Sequence, residues 1–330
     1  MEFRWLGRTG IKVSSLSLGT MAFGAEADES ESAAMFRAAR DHGINFFDCA
    51  DVYAAGRSEE ILGRLIKDVR EDVIITSKAY FQAGPDVNAM GASRRHLLLS
   101  VEKSLRRLGT DRIEVYFVHR FDEQTPLEET LRTLDDLVRQ GKILYPGASN
   151  FAAWQVEKAL GVAAKAGWSP FHVIQPMYSL VKRQAEAEIL PMAQDESLGV
   201  ITYSPLAGGL LSGKYGVDRK PANGRLLTHK ISQVRYGEAW NFEVAGRFTA
   251  FARSRGIDPV TMAVAWVGSH PSVTAPIVGA RNVEQLGPSL AAADLKMTPE
   301  LRAEISALSP EPPPATDRNE ERTETNFGLR

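Results

Sequence analysis

Four side chains of unlike chemistry stand at matching places in this sequence: Asp48, Tyr53, Lys78 and His119. Three short apolar runs, residues 45–48, 73–78 and 113–119, end in Asp48, Lys78 and His119, and Tyr53 follows the first of them. Such runs read as strands. A carboxylate and a phenol are thus delivered to the same end of one strand, and an amine and an imidazole to the ends of the next two. Together they suit carbonyl reduction. The developing alkoxide needs a proton donor, and Tyr is a weak acid of pKa about 10. A nearby ammonium stabilises the phenolate and lowers that value. A carboxylate holds the ammonium in place and charged, while a neutral imidazole hydrogen-bonds the carbonyl oxygen and orients the substrate. Singly, each has a blander use: a strand-end Asp as a cap, a lone Lys in solvent, a His after Tyr-Phe-Val in a core. Four independent accidents at four matching positions are much harder to reach than a site.

These residues need a scaffold that aligns strand ends. Residues 3–13 read as a hairpin around Gly7-Arg8-Thr9-Gly10, and 15–19 as the first core strand. Helical periodicity over 30–42 ends at Gly43. Strand 45–48 is followed by a helix over 58–67, with Ser58 as its N-cap and Glu59 and Glu60 in the first turn. Further strands are expected at 73–78, 113–119, 143–149, 173–176, 199–203 and 272–279. Ser93 caps a helix to about residue 107. Thr125-Pro126-Leu127-Glu128 combines an N-cap, a first-turn Pro and a capping-box Glu. Asn150 caps a helix over 151–165, one more lies near 185–197, and others follow at 241–255 and 259–268. Asn282 caps a further helix, and Thr298-Pro299-Glu300 opens the last. A long polar stretch at 214–239 is a candidate lid. Residues 310–330 form a Pro-rich, charged tail without a packed core of its own. Eight strand–helix units without a linker demand a parallel sheet and match a single α/β domain, a (β/α)8 TIM barrel with an N-terminal β-hairpin and extra helices. An open doubly wound sheet would need a glycine-rich turn after its first strand, and Gly19-Thr-Met-Ala-Phe-Gly24 does not supply the fingerprint. The ends of strands five to seven add Ser149, Asn150, Gln175, Tyr203 and Ser204 to the same rim.

Bulk properties exclude other classes. Charged residues are 24% and hydrophobic residues 44%, the balance of a globular protein. A net charge of −2 gives no basic field for nucleic acid or an anionic membrane, so neither partner is expected. The single cysteine, Cys49, excludes an intramolecular disulfide. The N-terminus lacks the apolar core of a signal peptide, no run approaches a membrane span, and a cytoplasmic location is expected. Neither HExxH nor CxxC occurs and no metal is expected. Tyr178-Ser-Leu-Val-Lys182 matches the YxxxK pattern of short-chain dehydrogenases, but without the glycine-rich turn that accompanies it there.

The motifs FFDCADVYAAGRSEEILG (46–63), ITSKA (75–79), VYFVHRFD (115–122), GKILYPGASNF (141–151), VIQPMYSL (173–180), GVITYSPLAGGLLSGKY (199–215) and PIVGARNVEQL (276–286) follow in one order. Across residues 3–308 the chain resembles an aldo-keto reductase, in the branch that holds many bacterial reductases and the potassium-channel beta subunits. The resemblance implies Tyr53 as general acid/base, Lys78 and Asp48 tuning it, and His119 orienting the carbonyl. It implies NADP(H) across the barrel mouth, with Ser149, Asn150 and Gln175 on the carboxamide and Tyr203 stacked on the nicotinamide. Asp48, Gly19, Thr20 and Met21 line the other side, and Ser204, Pro205, Leu206, Gly208 and Leu210 cradle the pyrophosphate. Gly279, Ala280, Arg281 and Gln285 complete the site, and Lys214 is a further phosphate candidate. Arg281 beside a helix N-terminus suits the 2′-phosphate of NADP. Family members commonly carry Asn near the adenine, where this chain has Ser289, so weaker adenine contacts are expected. The implied activity is reversible reduction of small aldehydes or ketones; the alternative is a redox-sensing regulatory subunit using the same site. Phe23, Tyr80, Phe81, Arg120 and Phe121 are candidate pocket residues, and Phe327 a candidate contact from the tail.

Overall fold

Alternation of apolar strands with amphipathic helices closes here into a barrel. The structure is a computed structural model describing residues 1–219, 221, 222 and 224–316; the expectation for Phe327 lies outside the described residues. The strands are β1 (Phe3–Trp5), β2 (Lys12–Ser14), β3 (Ser17–Gly19), β4 (Phe46–Asp48), β5 (Ile74–Ala79), β6 (Ile113–Val118), β7 (Ile143–Ser149), β8 (Val173–Gln175), β9 (Gly199–Thr202) and β10 (Ala275–Val278). The helices are α1 (Glu29–Asp41), α2 (Arg57–Ile66), α3 (Arg94–Leu108), α4 (Leu127–Arg139), α5 (Ala153–Ala166), α6 (Ile189–Asp195), α7 (Arg225–Thr228), α8 (Lys230–Tyr236), α9 (Ala239–Ser254), α10 (Pro259–Gly268), α11 (Val283–Leu290) and α12 (Pro299–Ser306). Strands β3 to β10 are parallel and closed, with β10 paired to both β9 and β3. The expected (β/α)8 TIM barrel with an N-terminal hairpin and extra helices is therefore observed.

Strand alternation sorts the core into two layers. Phe46, Val115, Phe117, Val173, Ile201 and Ala275 fill the barrel interior, joined by Leu6 and Val13 from the hairpin region. Phe47, Cys49, Ile75, Tyr116 and Val118 point the other way, into the apolar layer under the helices. The antiparallel β1–β2 hairpin plugs the barrel floor. At Gly7 (φ +55) any Cβ would collide with the Gly199 amide, so only glycine lets the plug seat against β9. The opposite, C-terminal rim is where a barrel carries its site.

Local patterns misplace several caps. Ser93, Asn282 and Thr298 cap their helices as expected and Asp258 caps α10, each accepting from an amide of the first turn. Ser58 instead lies inside α2, whose N-cap is Gly56; its hydroxyl donates to the Thr20 carbonyl at 2.7 Å. Asn150 lies outside α5, which Ala152 opens, its amide donating to the Gln155 side chain at 2.8 Å. Pro126 precedes α4, and the Thr125 hydroxyl donates to Asp122 at 2.7 Å instead of capping. The expected polar stretch 214–239 contains α7 and α8. Among the described residues no helix is long and apolar enough to cross a membrane.

Candidate active site

Register sets the centre of the rim. Gly19, Asp48 and Thr76 pair across β3, β4 and β5, and Lys78 pairs with Phe117 across β5 and β6. Asp48 and Lys78 therefore both face inward, Asp48 one pleat repeat above Phe46 and Lys78 level with Phe117 of the apolar fill. The Asp48 Oδ1 accepts from Thr76 Oγ1 at 2.6 Å, Lys78 Nζ at 2.7 Å and Gln175 Nε2 at 2.8 Å, and its Oδ2 accepts from Lys78 Nζ at 2.7 Å. Lys78, 0% exposed, also donates to the Cys49 carbonyl at 2.6 Å. Burial pulls the Lys78 ammonium down, but the Asp48 and Tyr53 charges outweigh it and hold it above its ordinary value. The ammonium lies 5.2 Å from the Tyr53 ring centre, and that ring lies 6.3 Å from the His119 ring. All four chemically matched residues are brought together.

Their electrostatics differ from the sequence expectation at one point. Lys78 does pull the phenol of Tyr53 down, but burial outweighs it and pushes the phenol up to about 12. A phenol so placed stays protonated at neutral pH, the state a proton donor needs. Burial and then the Lys78 charge push His119 down to about 3, so its imidazole is neutral. Its buried Nδ1 has no hydrogen-bond partner among the described residues. Phe81 meets the His119 ring edge-on at 4.9 Å. Tyr80 packs on Phe81, and Phe121 packs on Phe151 and Trp154, so these aromatics surround the rim. Arg120 is exposed, whereas Phe23 is buried in the outer core and does not line the pocket.

The remaining rim residues flank this centre. Ser149 donates to the Gln175 carbonyl at 3.0 Å. Asn150, at φ +58, donates to the His119 carbonyl at 2.9 Å and accepts from the Tyr203 hydroxyl at 2.6 Å. Beyond Pro205 and Leu206, the 3-10 turn Ala207–Gly209 leads to the buried Leu210. Ser204, Ala207, Gly208 and Gly209 all have left-handed φ, which turns the backbone sharply as oxyanion-holding loops do. Gly19 and Gly279 face each other at the ends of β3 and β10, where a Cβ on Gly279 would sit 3.3 Å from the Gly19 carbonyl. Ala280, Arg281 and the eight-residue α11 follow, with Arg281 Nε 3.4 Å from the Gln285 side chain. This donor set, a left-handed turn and an exposed guanidinium at a helix start, fits a dinucleotide. The Thr20 hydroxyl donates to the Asp48 carbonyl at 3.1 Å, Ser289 is buried, and Lys214 and Met21 are exposed. Arg225 of α7 bonds Glu26 at 2.9 Å, and Arg281 lies near enough to help depress that carboxyl.

The model of the aldo/keto reductase family matches residues 15–310. The chain belongs to this family. Among curated relatives it is similar to an uncharacterized oxidoreductase of Bacillus subtilis, 37% identical over 94% of this chain and 97% of the relative. It is likewise similar to a probable voltage-gated potassium channel subunit beta of Oryza sativa, 35% identical over 96% and 99%, and to the versiconal hemiacetal acetate reductase of Aspergillus parasiticus, 34% identical over 91% and 94%. As a member of the aldo/keto reductase family the chain is an oxidoreductase of carbonyl compounds, of a kind that uses a nicotinamide cofactor.

Sequence reading of this aldo/keto reductase missed some partners. Thr76 was legible in principle, because Ile-Thr-Ser-Lys puts it on the same strand face as Lys78. Glu59, in the first turn of a helix, reads from sequence only as a helix-dipole residue. It is buried, accepts from Ser77 at 2.5 Å and pairs with Arg107 at 2.6 Å, and no local pattern couples it to a guanidinium 48 residues away. Tyr178, of the YxxxK match, donates to Glu186 at 2.5 Å and accepts from Arg302 at 3.0 Å, a structural role.

Proposed function

We propose that this aldo/keto reductase is NADPH-dependent and reduces small aldehydes and ketones to alcohols with Tyr53 as proton donor. The observation that carries it is the convergence of a protonated phenol, a charged amine and a neutral imidazole at one rim. When bound, the reduced nicotinamide supplies the hydride. Tyr53 gives its proton to the carbonyl oxygen as charge develops there. Lys78, fixed and kept charged by Asp48, stabilises the phenolate that remains. His119 stays neutral and orients the oxygen by a hydrogen bond. Ser149, Asn150 and Gln175 would hold the carboxamide and Tyr203 the ring face. The 204–210 turn would hold the pyrophosphate and Arg281 the 2′-phosphate.

Tyr53→Phe should lower reduction of a generic aldehyde by about 10³-fold or more while cofactor titration stays close to wild type. Near-normal turnover would refute the assignment. NADPH should exceed NADH in kcat/KM by more than about tenfold, and Arg281→Ala should erase most of that margin. Equal efficiency in the wild type defeats the preference. The relatives named as channel beta subunits, 35% identical, favour a second reading, a nicotinamide-binding redox-sensing subunit. Steady-state turnover of at least about 1 per second supports the enzyme; single-turnover oxidation alone supports the sensor.

A further inference from the structure

Behind the inner quartet lies a buried polar cluster that the proposed reaction does not use. Asp51 sits there, 4% exposed, on the loop between Asp48 and Tyr53. Neither of its carboxyl oxygens has a hydrogen-bond partner among the described residues, nor does the fully buried Tyr116 hydroxyl on the outward face of β6. Glu59 from α2, Arg107 from α3 and Lys78 from β5 act electrostatically on Asp51, Asp51 acts on Tyr116 from β6, and Cys49 of the same loop feels Glu59 and Lys78. The cluster is joined mechanically to the site. The Asp51 amide donates to the Lys78 carbonyl at 3.2 Å, and the Tyr53 amide to the Ala50 carbonyl at 3.2 Å. Tyr53 is followed by three residues in the left-handed region, Ala54 (φ +47), Ala55 (φ +55) and Gly56 (φ +93). Two alanines in that conformation hold strain that neighbours must restrain. Arg107 supplies the restraint: it pairs with Glu59 and packs where a Cβ on Gly56 would come within 2.9 Å of its Cδ.

We propose that Asp51 is a positioning residue whose charge state reaches the site: uncharged, it leaves the Lys78 charge to Asp48 and the Tyr53 phenol; ionised, it competes for that charge from the outer side and repels Glu59, loosening the turn that carries Tyr53. Burial first, and Glu59 second, raise this carboxyl to about 7, against the opposing pull of Arg107, the Val52 amide and Lys78. The functional half of the role rests on Tyr53 as proton donor, the reading given above; the protonation half does not.

Asp51→Asn, a permanently neutral isostere, separates the two. In wild type, kcat/KM for aldehyde reduction should fall about fivefold or more between pH about 6 and about 8, and in Asp51→Asn that decline should vanish. Folded Asp51 holds its proton more tightly than the unfolded chain, where an Asp titrates near 3.9. Its contribution to stability is therefore full below that pH and is lost as pH rises through about 7. Asp51→Asn should thus gain in Tm over wild type progressively from pH about 4 to about 7 and then level off. Parallel pH–rate profiles overturn the positioning role. A Tm gap independent of pH overturns the neutral acid. If neither protein turns over, the functional reading fails, and the Tm comparison still decides the state of Asp51.

Discussion

Asp48 and Asp51 lie three residues apart and equally deep, yet the barrel wall separates their circumstances. Asp48 faces inward and accepts four hydrogen bonds from Thr76, Lys78 and Gln175. Asp51 lies toward the helix layer, beside another acid, with no hydrogen-bond partner among the described residues. Burial alone does not decide what a carboxyl does in this protein. Partners do: a buried carboxylate that is fully bonded anchors a cation, whereas an unbonded one keeps its proton. The inner layer is built for fixed charge and the outer for suppressed charge.

The sharpest way to break this contrast is to delete each acid. Asp48→Ala strands an ammonium that has no solvent exposure, and should cost about 3–5 kcal/mol by urea unfolding. Asp51→Ala should cost clearly less, and equal losses would erase the distinction. Glu59→Gln leaves Arg107 without its carboxylate and should cost about 1–3 kcal/mol, while lowering the repulsion that keeps Asp51 protonated. Its pH–Tm slope should then flatten between pH about 4 and about 7. Thr76→Val removes one hydroxyl from Asp48 and should cost about 1–2 kcal/mol with a modest drop in turnover. An effect of opposite sign lies on the acid side. His119 is pushed down to about 3, against about 6.5 in the unfolded chain. Stability is therefore full above about 6.5 and lost as pH falls toward about 3. His119→Gln should lose less Tm than wild type over that range, a slope opposite in sign to that of Asp51.

The same contrast explains what the sequence discloses. The eight strand–helix units and the strand-end Asp, Lys and His are legible because period-two and period-3.6 patterns are local. Asp-x-x-x-x-Tyr is legible for the same reason. Ser58 and Asn150 look like helix caps because cap chemistry is local too, but their polar groups serve partners far along the chain: Thr20 for Ser58, Tyr203 and His119 for Asn150. The phenol of Tyr53 shows the same limit. Its neighbouring amine is readable from strand spacing, whereas the burial that outweighs the amine is a property of the assembled rim. Glu59, Arg107 and Tyr116 belong to a layer that exists only once α2 and α3 pack on the wall.

The hairpin seated against β9 makes the barrel a cup with one opening. Any ligand of the Lys78 and Tyr53 pair therefore arrives from the rim side.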